Sequence, residues 1–191
     1  MRRVAVAGLV MLCLGFVVSA CTIVTVRQPV GTPVPDEVGK MMEGLWSLES
    51  GEESDDPYSH FCYVKYLRDG TLRVAQLVWE GETFQLYEWM GLLTVYDKTL
   101  YLNVRANQTN PEAPPEYYMF RLQSGSNSIM VLWVPRFSAF ADAVDNGQLA
   151  GEAKRDEVKL TASKVKLEAF LKSRNPADLF MLDVPFVLVR Q

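Results

Sequence analysis

The chain has 191 residues, of which 19 are basic and 23 acidic, with one histidine and three cysteines and a formal net charge of −4. No basic excess is available to face phosphates, so nucleic acid is not an expected partner. A single histidine without a cysteine pair leaves the usual transition-metal sites without ligands, and no metal or cofactor is expected.

The first 20 residues divide into Arg2-Arg3, an apolar run from Val4 to Val18, and the small pair Ser19-Ala20. This is the three-part layout of a secretory signal peptide. The four residues Val18-Ser19-Ala20-Cys21 resemble the bacterial lipobox, in which an aliphatic residue and two small ones precede a cysteine that receives lipid. Small residues suit a peptidase that must close around an extended backbone, and Leu12 is too large to make the same site before Cys13. The resemblance implies a lipoprotein of the bacterial cell envelope, cleaved before Cys21 and acylated there with three chains, palmitate among them. In a Gram-negative source, Thr22 in place of an aspartate implies the outer membrane, facing the periplasm. One acyl chain alone binds a bilayer marginally, at about 0.8 kcal/mol per buried CH₂, so three need no further apolar patch. The stretch from Val4 to Val26 carries no charge and is long enough to cross a bilayer, so an uncleaved membrane helix is the other reading.

Removing residues 1–20 takes away Arg2 and Arg3 and no acid, which leaves 17 basic and 23 acidic residues and a net charge of −6. Anionic lipid repels such a chain mildly, so attachment would rest on the anchor. Cys62 is then the only cysteine beyond the anchor, which excludes an intramolecular disulfide. Set between Phe61 and Tyr63, it reads as a small core residue, with a reactive thiol as the alternative. Pro29, Pro33 and Pro35 among small and polar residues predict that 21–42 is a lipidated, flexible tether. Residues 43–191 then form one domain of sufficient size for its own core.

From Gly44 onward the chain reads mainly as strands. Tyr63 to Arg68 and Thr71 to Trp79 flank Asp69-Gly70, a hairpin signal because Asp-Gly tolerates positive φ. With that turn, Lys65 and Gln76 are expected on one face and Arg68 and Arg73 on the other. Glu80-Gly81 reverses the chain into Thr83 to Trp89, and Gly91 predicts a bend or bulge before Leu92 to Tyr96. A two-residue turn at Asp97-Lys98 places Val95 opposite Leu100, Leu93 opposite Leu102 and Thr94 opposite Tyr101, with one dry face and one wet face.

After a Pro-rich loop at 107–115, strands are expected over 116–123 and 128–134. Phe137, Phe140, Ala141 and Val144 recur at helical spacing and stop at Asn146-Gly147. Residues 157–161 alternate like a strand, and Ser163 is placed to cap a helix that carries Leu167, Phe170 and Leu171. A last strand from Phe180 to Val189 is interrupted by Pro185. The fold class is mainly β, an antiparallel meander closing or nearly closing into a barrel with two short helices, because closure removes exposed edges.

Gly44-Leu45-Trp46 at the start of the first barrel strand, with the order of the elements over 43–191, resembles the lipocalin-like barrels. In that superfamily the Trp of Gly-x-Trp closes one barrel end beneath an arginine. The resemblance assigns that role to Trp46, with Arg190 as its partner.

Catalytic signatures are absent: His60 has no Gly-x-Ser-x-Gly elbow beside it, and Glu52, Glu53, Asp55 and Asp56 lack a calcium-loop pattern. An enzyme is not expected. Tyr66, Trp79, Tyr87, Trp89 and Trp133 are the candidate lining of an apolar ligand pocket, with ordinary barrel core as the competing reading. Two functions remain open: holding a small hydrophobic or amphipathic ligand in the barrel, or serving as a non-enzymatic accessory lipoprotein that contacts an envelope protein through the loops 51–59 and 107–115.

Overall fold

A computed structural model describes residues 23–49, 61–80, 83–105, 112–126, 128–183 and 185–191. The expectations for Cys21, for His60 and for the acidic loop before it lie outside the described residues, as does the contact loop 51–59 and most of 107–115.

From Ile23 onward the expected tether is folded. Ile23–Val26 forms β1, Thr32–Pro33 forms β2, and Asp36–Lys40 forms a short helix, α1. β-branched residues at 23–26 fit a half-buried strand, and Val24, Val26, Val30, Val34 and Met42 are all buried. The prolines act as punctuation here: Pro33 sits in a two-residue edge pairing, and Pro35 is the N-cap of α1 with φ −56°. Val30 is also pinned by side chains, since its N–H donates to Asn103 Oδ1 at 3.0 Å while Asn103 Nδ2 donates to Thr94 Oγ1 at 2.9 Å. The Thr94 hydroxyl in turn donates to the Val30 carbonyl.

The barrel follows as β3 (Gly44–Glu49), β4 (Phe61–Tyr66), β5 (Thr71–Glu80), β6 (Thr83–Tyr96), β7 (Thr99–Arg105), β8 (Tyr117–Ser126) and β9 (Ile129–Trp133). The eighth strand, β12 (Phe186–Arg190), pairs with both β3 and β9, and β8 pairs with β9, so the antiparallel barrel is closed. Between β9 and β12 the chain makes helix α2 (Phe137–Asp145), the hairpin β10 (Gly151–Ala153) and β11 (Glu157–Leu160), then helices α3 (Lys164–Ser173) and α4 (Pro176–Leu179). β1 joins this insertion: it runs parallel to β11 and antiparallel to Tyr117 and Tyr118 of β8. The result is a barrel with a lateral annex of three strands and three helices.

Each part has its own buried core. Val64, Leu72, Leu93, Phe120, Leu122, Met130, Leu132, Phe186 and Leu188 point into the barrel with Trp46. Val26, Met119, Phe140, Val158, Leu160, Leu167 and Phe180 fill the annex. β8 serves both, because successive side chains of a strand alternate: Phe120 and Leu122 face the lumen, and Met119 faces the annex.

Several local expectations are refined. The Asp97-Lys98 turn has positive φ at both residues, and its register is the one expected, with Leu93, Val95, Leu100 and Leu102 on the barrel side. Its other face is not wet: Thr94, Tyr101 and Asn103 are buried beneath β2's lead-in and the annex. The first hairpin turns through one residue more than Asp69-Gly70, so that Tyr66 opposes Leu72, Lys65 opposes Arg73, and Cys62 opposes Gln76. That single residue exchanges faces: Lys65 and Arg73 point outward together, Gln76 points inward, and Arg68 belongs to the turn.

Gly91 does not bend or bulge β6, whose pairing with β5 is continuous through it and whose pairing with β7 begins there. It provides close packing, since a Cβ there would meet Leu102 Cδ1 at 3.2 Å. The final strand begins only at Phe186, and Phe180 makes an isolated bridge with Pro135. Among the described residues there are four helices where two were expected. Ser163 occupies the N-cap of α3 without a side-chain capping bond, and the Lys164 N–H donates instead to Gln28 Oε1 at 3.3 Å. Among the described residues no helix is long and apolar enough to cross a membrane.

Candidate functional site: the barrel lumen

One end of the barrel is closed by the chain itself. Trp46 is fully buried, donates from Nε1 to the Met42 carbonyl at 2.8 Å, and lies under the Arg190 guanidinium, 4.9 Å from the ring centroid. Antiparallel pairing places Arg190 directly opposite Trp46, and its terminal nitrogen donates to the Met41 carbonyl. Trp46 and Arg190, the pair singled out from Gly44-Leu45-Trp46, are thus in contact. Helix α1 completes the plug: Gly39 packs so tightly that a Cβ would meet the Tyr66 ring at 2.0 Å, and the Tyr66 hydroxyl donates to Asp36 Oδ1 at 3.0 Å.

Above the plug, register assigns the lining. Val64 opposes Val74 and Val74 opposes Trp89; Cys62 opposes Gln76 and Gln76 opposes Tyr87. Because Val64, Leu72 and Leu93 face inward, Cys62, Gln76, Tyr87 and Trp89 share that face. Cys62, Val74, Val104 and Tyr118 pack against the buried barrel core, whereas Tyr87 and Trp89 lie beyond it toward the opposite end. Gln76 is only 3% exposed, and Trp89 Nε1 is buried with no hydrogen-bond partner among the described residues.

The five candidate aromatic residues therefore separate. Tyr87 and Trp89 come together in the lumen toward its far end. Tyr66 faces inward but belongs to the plug, as part of the core. Trp133 points out of the barrel: Met130 and Leu132 occupy the inward positions of β9, and alternation sends Trp133 to the annex, where Arg121 stacks on it at 5.0 Å. Trp79 pairs with Phe84 near the end of the β5–β6 hairpin, and its side chain lies outside the described residues.

No known protein family, curated protein or solved structure matches the chain. Physical chemistry alone must therefore assign the site. Burial pushes the Cys62 thiol up to about 11, which keeps it protonated and poorly nucleophilic near neutral pH. Among the described residues no group of histidine, cysteine and carboxylate side chains is arranged to hold a metal ion. What the lumen offers is an apolar wall, a buried amide and an indole N–H. Such a set suits non-covalent binding of a molecule with an apolar body and a hydrogen-bond acceptor.

Gln76 and Cys62 are the lining residues that sequence reasoning did not select. The hairpin spacing held the necessary signal, but the extra turn residue concealed which strand positions faced inward.

Proposed function

We propose that this protein is an exported envelope lipoprotein, acylated at Cys21, whose barrel takes up a small amphipathic molecule at the end opposite Trp46. The observation that carries the binding half is the buried Trp89 indole N–H, which lies on the inward face with Tyr87 and Gln76 and has no acceptor among the described residues. An N–H removed from water without a partner costs about 1–3 kcal/mol, and a ligand oxygen would remove that cost. The lower lumen is filled by Trp46, Leu72 and Leu93, so the ligand is short and enters only part of the barrel.

The lipobox supports the anchor. With one residue between Cys21 and β1, the acylated cysteine would hold the annex within about two residue lengths, or roughly 7 Å, of the lipid.

Native mass spectrometry of the full chain, with lauric acid as a defined probe, tests the pocket. A one-to-one complex weakened about tenfold by Trp89→Ala is expected; absence of any complex rejects it. Intact mass tests the anchor separately: an acylated Cys21 is expected, and Cys21→Ala should block processing.

A second reading, an accessory lipoprotein contacting another envelope protein, is favoured by one observation. Leu45, Phe61, Tyr63, Leu86 and Met90 are exposed on the outer face of β3 to β6, with Leu45 directly opposite Tyr63. Apolar side chains gathered on one face suit a protein contact. Crosslinking from Tyr63 in cells should capture an envelope protein under this reading, with loss of capture in Leu86→Ser and Met90→Ser chains.

A further inference from the structure

The annex meets the barrel along a row of three outward side chains on adjacent strands. Tyr101 of β7 opposes Arg121 of β8, and Arg121 opposes Trp133 of β9. The row is covered by the annex: Tyr101 is buried with its ring centroid 6.3 Å from that of Phe180, and Trp133 packs against the annex core. Arg121 lies over the Trp133 ring at 5.0 Å.

Two donors in this row have no acceptor among the described residues: Arg121 Nε and Trp133 Nε1, both buried. No described carboxylate forms an ion pair with Arg121. The two carboxylates whose charge reaches the neighbouring Tyr101 hydroxyl are engaged elsewhere. Asp97 pairs with Lys172 at 3.7 Å, while Glu168 accepts from the Gly31 N–H at 2.8 Å and pairs with Lys164 at 3.8 Å. The Nε–H of a permanent cation and an indole N–H thus stand side by side in a seam where the described residues supply neither with an acceptor.

We infer that this seam binds a small oxyanion, a carboxylate or phosphate group, held between Arg121 and Trp133. The guanidinium presents a planar fork that matches two oxygens of such a group, and the indole can only donate. An oxyanion accepts from both and balances the charge. The site lies outside the barrel, on the opposite side of the wall from Tyr87 and Trp89, and is independent of ligand uptake in the lumen. A free metabolite anion and the phosphate of a lipid headgroup share this chemistry.

The test is an NMR titration of the full chain in a nonionic detergent, following the indole and guanidinium N–H resonances at constant ionic strength. Inorganic phosphate, acetate and a short-chain phosphatidic acid are the probes, and Trp133→Phe assigns the indole signal. Saturable shifts of both the Trp133 Nε1–H and the Arg121 Nε–H are expected with at least one probe. Arg121→Gln should weaken the midpoint about tenfold or more, and Trp133→Phe, which keeps an aromatic ring for stacking, about threefold. Equal midpoints for phosphate and phosphatidic acid identify a free anion as the natural class, and a tighter one for phosphatidic acid identifies a headgroup. Shifts that are absent, that fail to saturate, or that persist unchanged in a folded Arg121→Gln chain overturn the site.

Discussion

The barrel and the annex are two solutions to the same problem of covering a sheet. In the barrel the sheet closes on itself and its inner face is the core, so no other element is needed except at the ends. In the annex β1, β11 and β10 extend the sheet outward from β8 with an open edge, and helices α2, α3 and α4 with the outer wall of β7 to β9 cover that extension instead. The difference shows where unsatisfied polar groups remain. Among the described residues the barrel leaves one buried donor unpartnered in the plug, Arg190 Nε, and an unpartnered indole toward the far end, while the annex leaves two unpartnered donors side by side along the join.

The largest expected effects ask whether the two parts are thermodynamically separate. Trp46→Ala in the barrel and Phe140→Ala in the annex each remove a fully buried ring, and each should cost about 3–5 kcal/mol. Because β8 contributes to both cores, urea unfolding followed by circular dichroism should show one transition in the wild type and in either variant. Two resolved transitions would mean that the annex is an independent unit.

The polar pin between the lead-in and the barrel wall comes next. Asn103→Ala leaves the Val30 N–H without its acceptor and should cost about 1–3 kcal/mol. Hydrogen exchange sharpens the comparison, since faster exchange should appear at Val30 and Gly31 with little change at Leu188.

Replacing Arg190 by Met keeps much of its apolar stem but removes the cation above Trp46 and its bond to Met41, for an expected loss of about 1–2 kcal/mol. Near-ultraviolet circular dichroism should report the altered indole environment, and an unchanged spectrum with unchanged stability would refute the closure role.

The most gradual effect is alkaline. Burial pushes Cys62 in the barrel from its ordinary 9.0 to about 11, and Tyr101 in the seam from 10.0 to about 12. The folded chain therefore retains these protons after the unfolded chain has lost them. Stability from Cys62 is intact below about pH 9 and falls as pH rises toward 11, and Tyr101 adds a later fall between about 10 and 12. Cys62→Ala should remove the earlier part of the decline in melting temperature, and Tyr101→Phe the later part.

Much of the barrel was legible because its signals are local. The Asp97-Lys98 reversal and the alternation around it specify a pairing that the fold adopts residue for residue. The contact between Trp46 and Arg190 was anticipated from Gly44-Leu45-Trp46. The annex was not legible for the opposite reason: β1 is a four-residue strand whose partners are at 117–118 and 157–160, and nothing near Ile23 announces them. Three prolines and several small residues then read as a tether, although tertiary contacts bury that segment. Trp133 was misplaced because an aromatic residue in a strand carries no mark of which side its partners occupy.

The placement of β1 also bears on the order of assembly. Synthesis delivers Ile23–Val26 before any other described strand, yet its parallel partner β11 comes near the end of the chain. The barrel closure between β3 and β12 joins stretches that are farther apart still. Such remote pairings make folding slow, because long loops must be ordered before their contacts can repay the lost entropy. Both β1 and β3 are thus made early and must wait for partners made late, and a chaperone that shields them during that interval should raise the yield of folded protein.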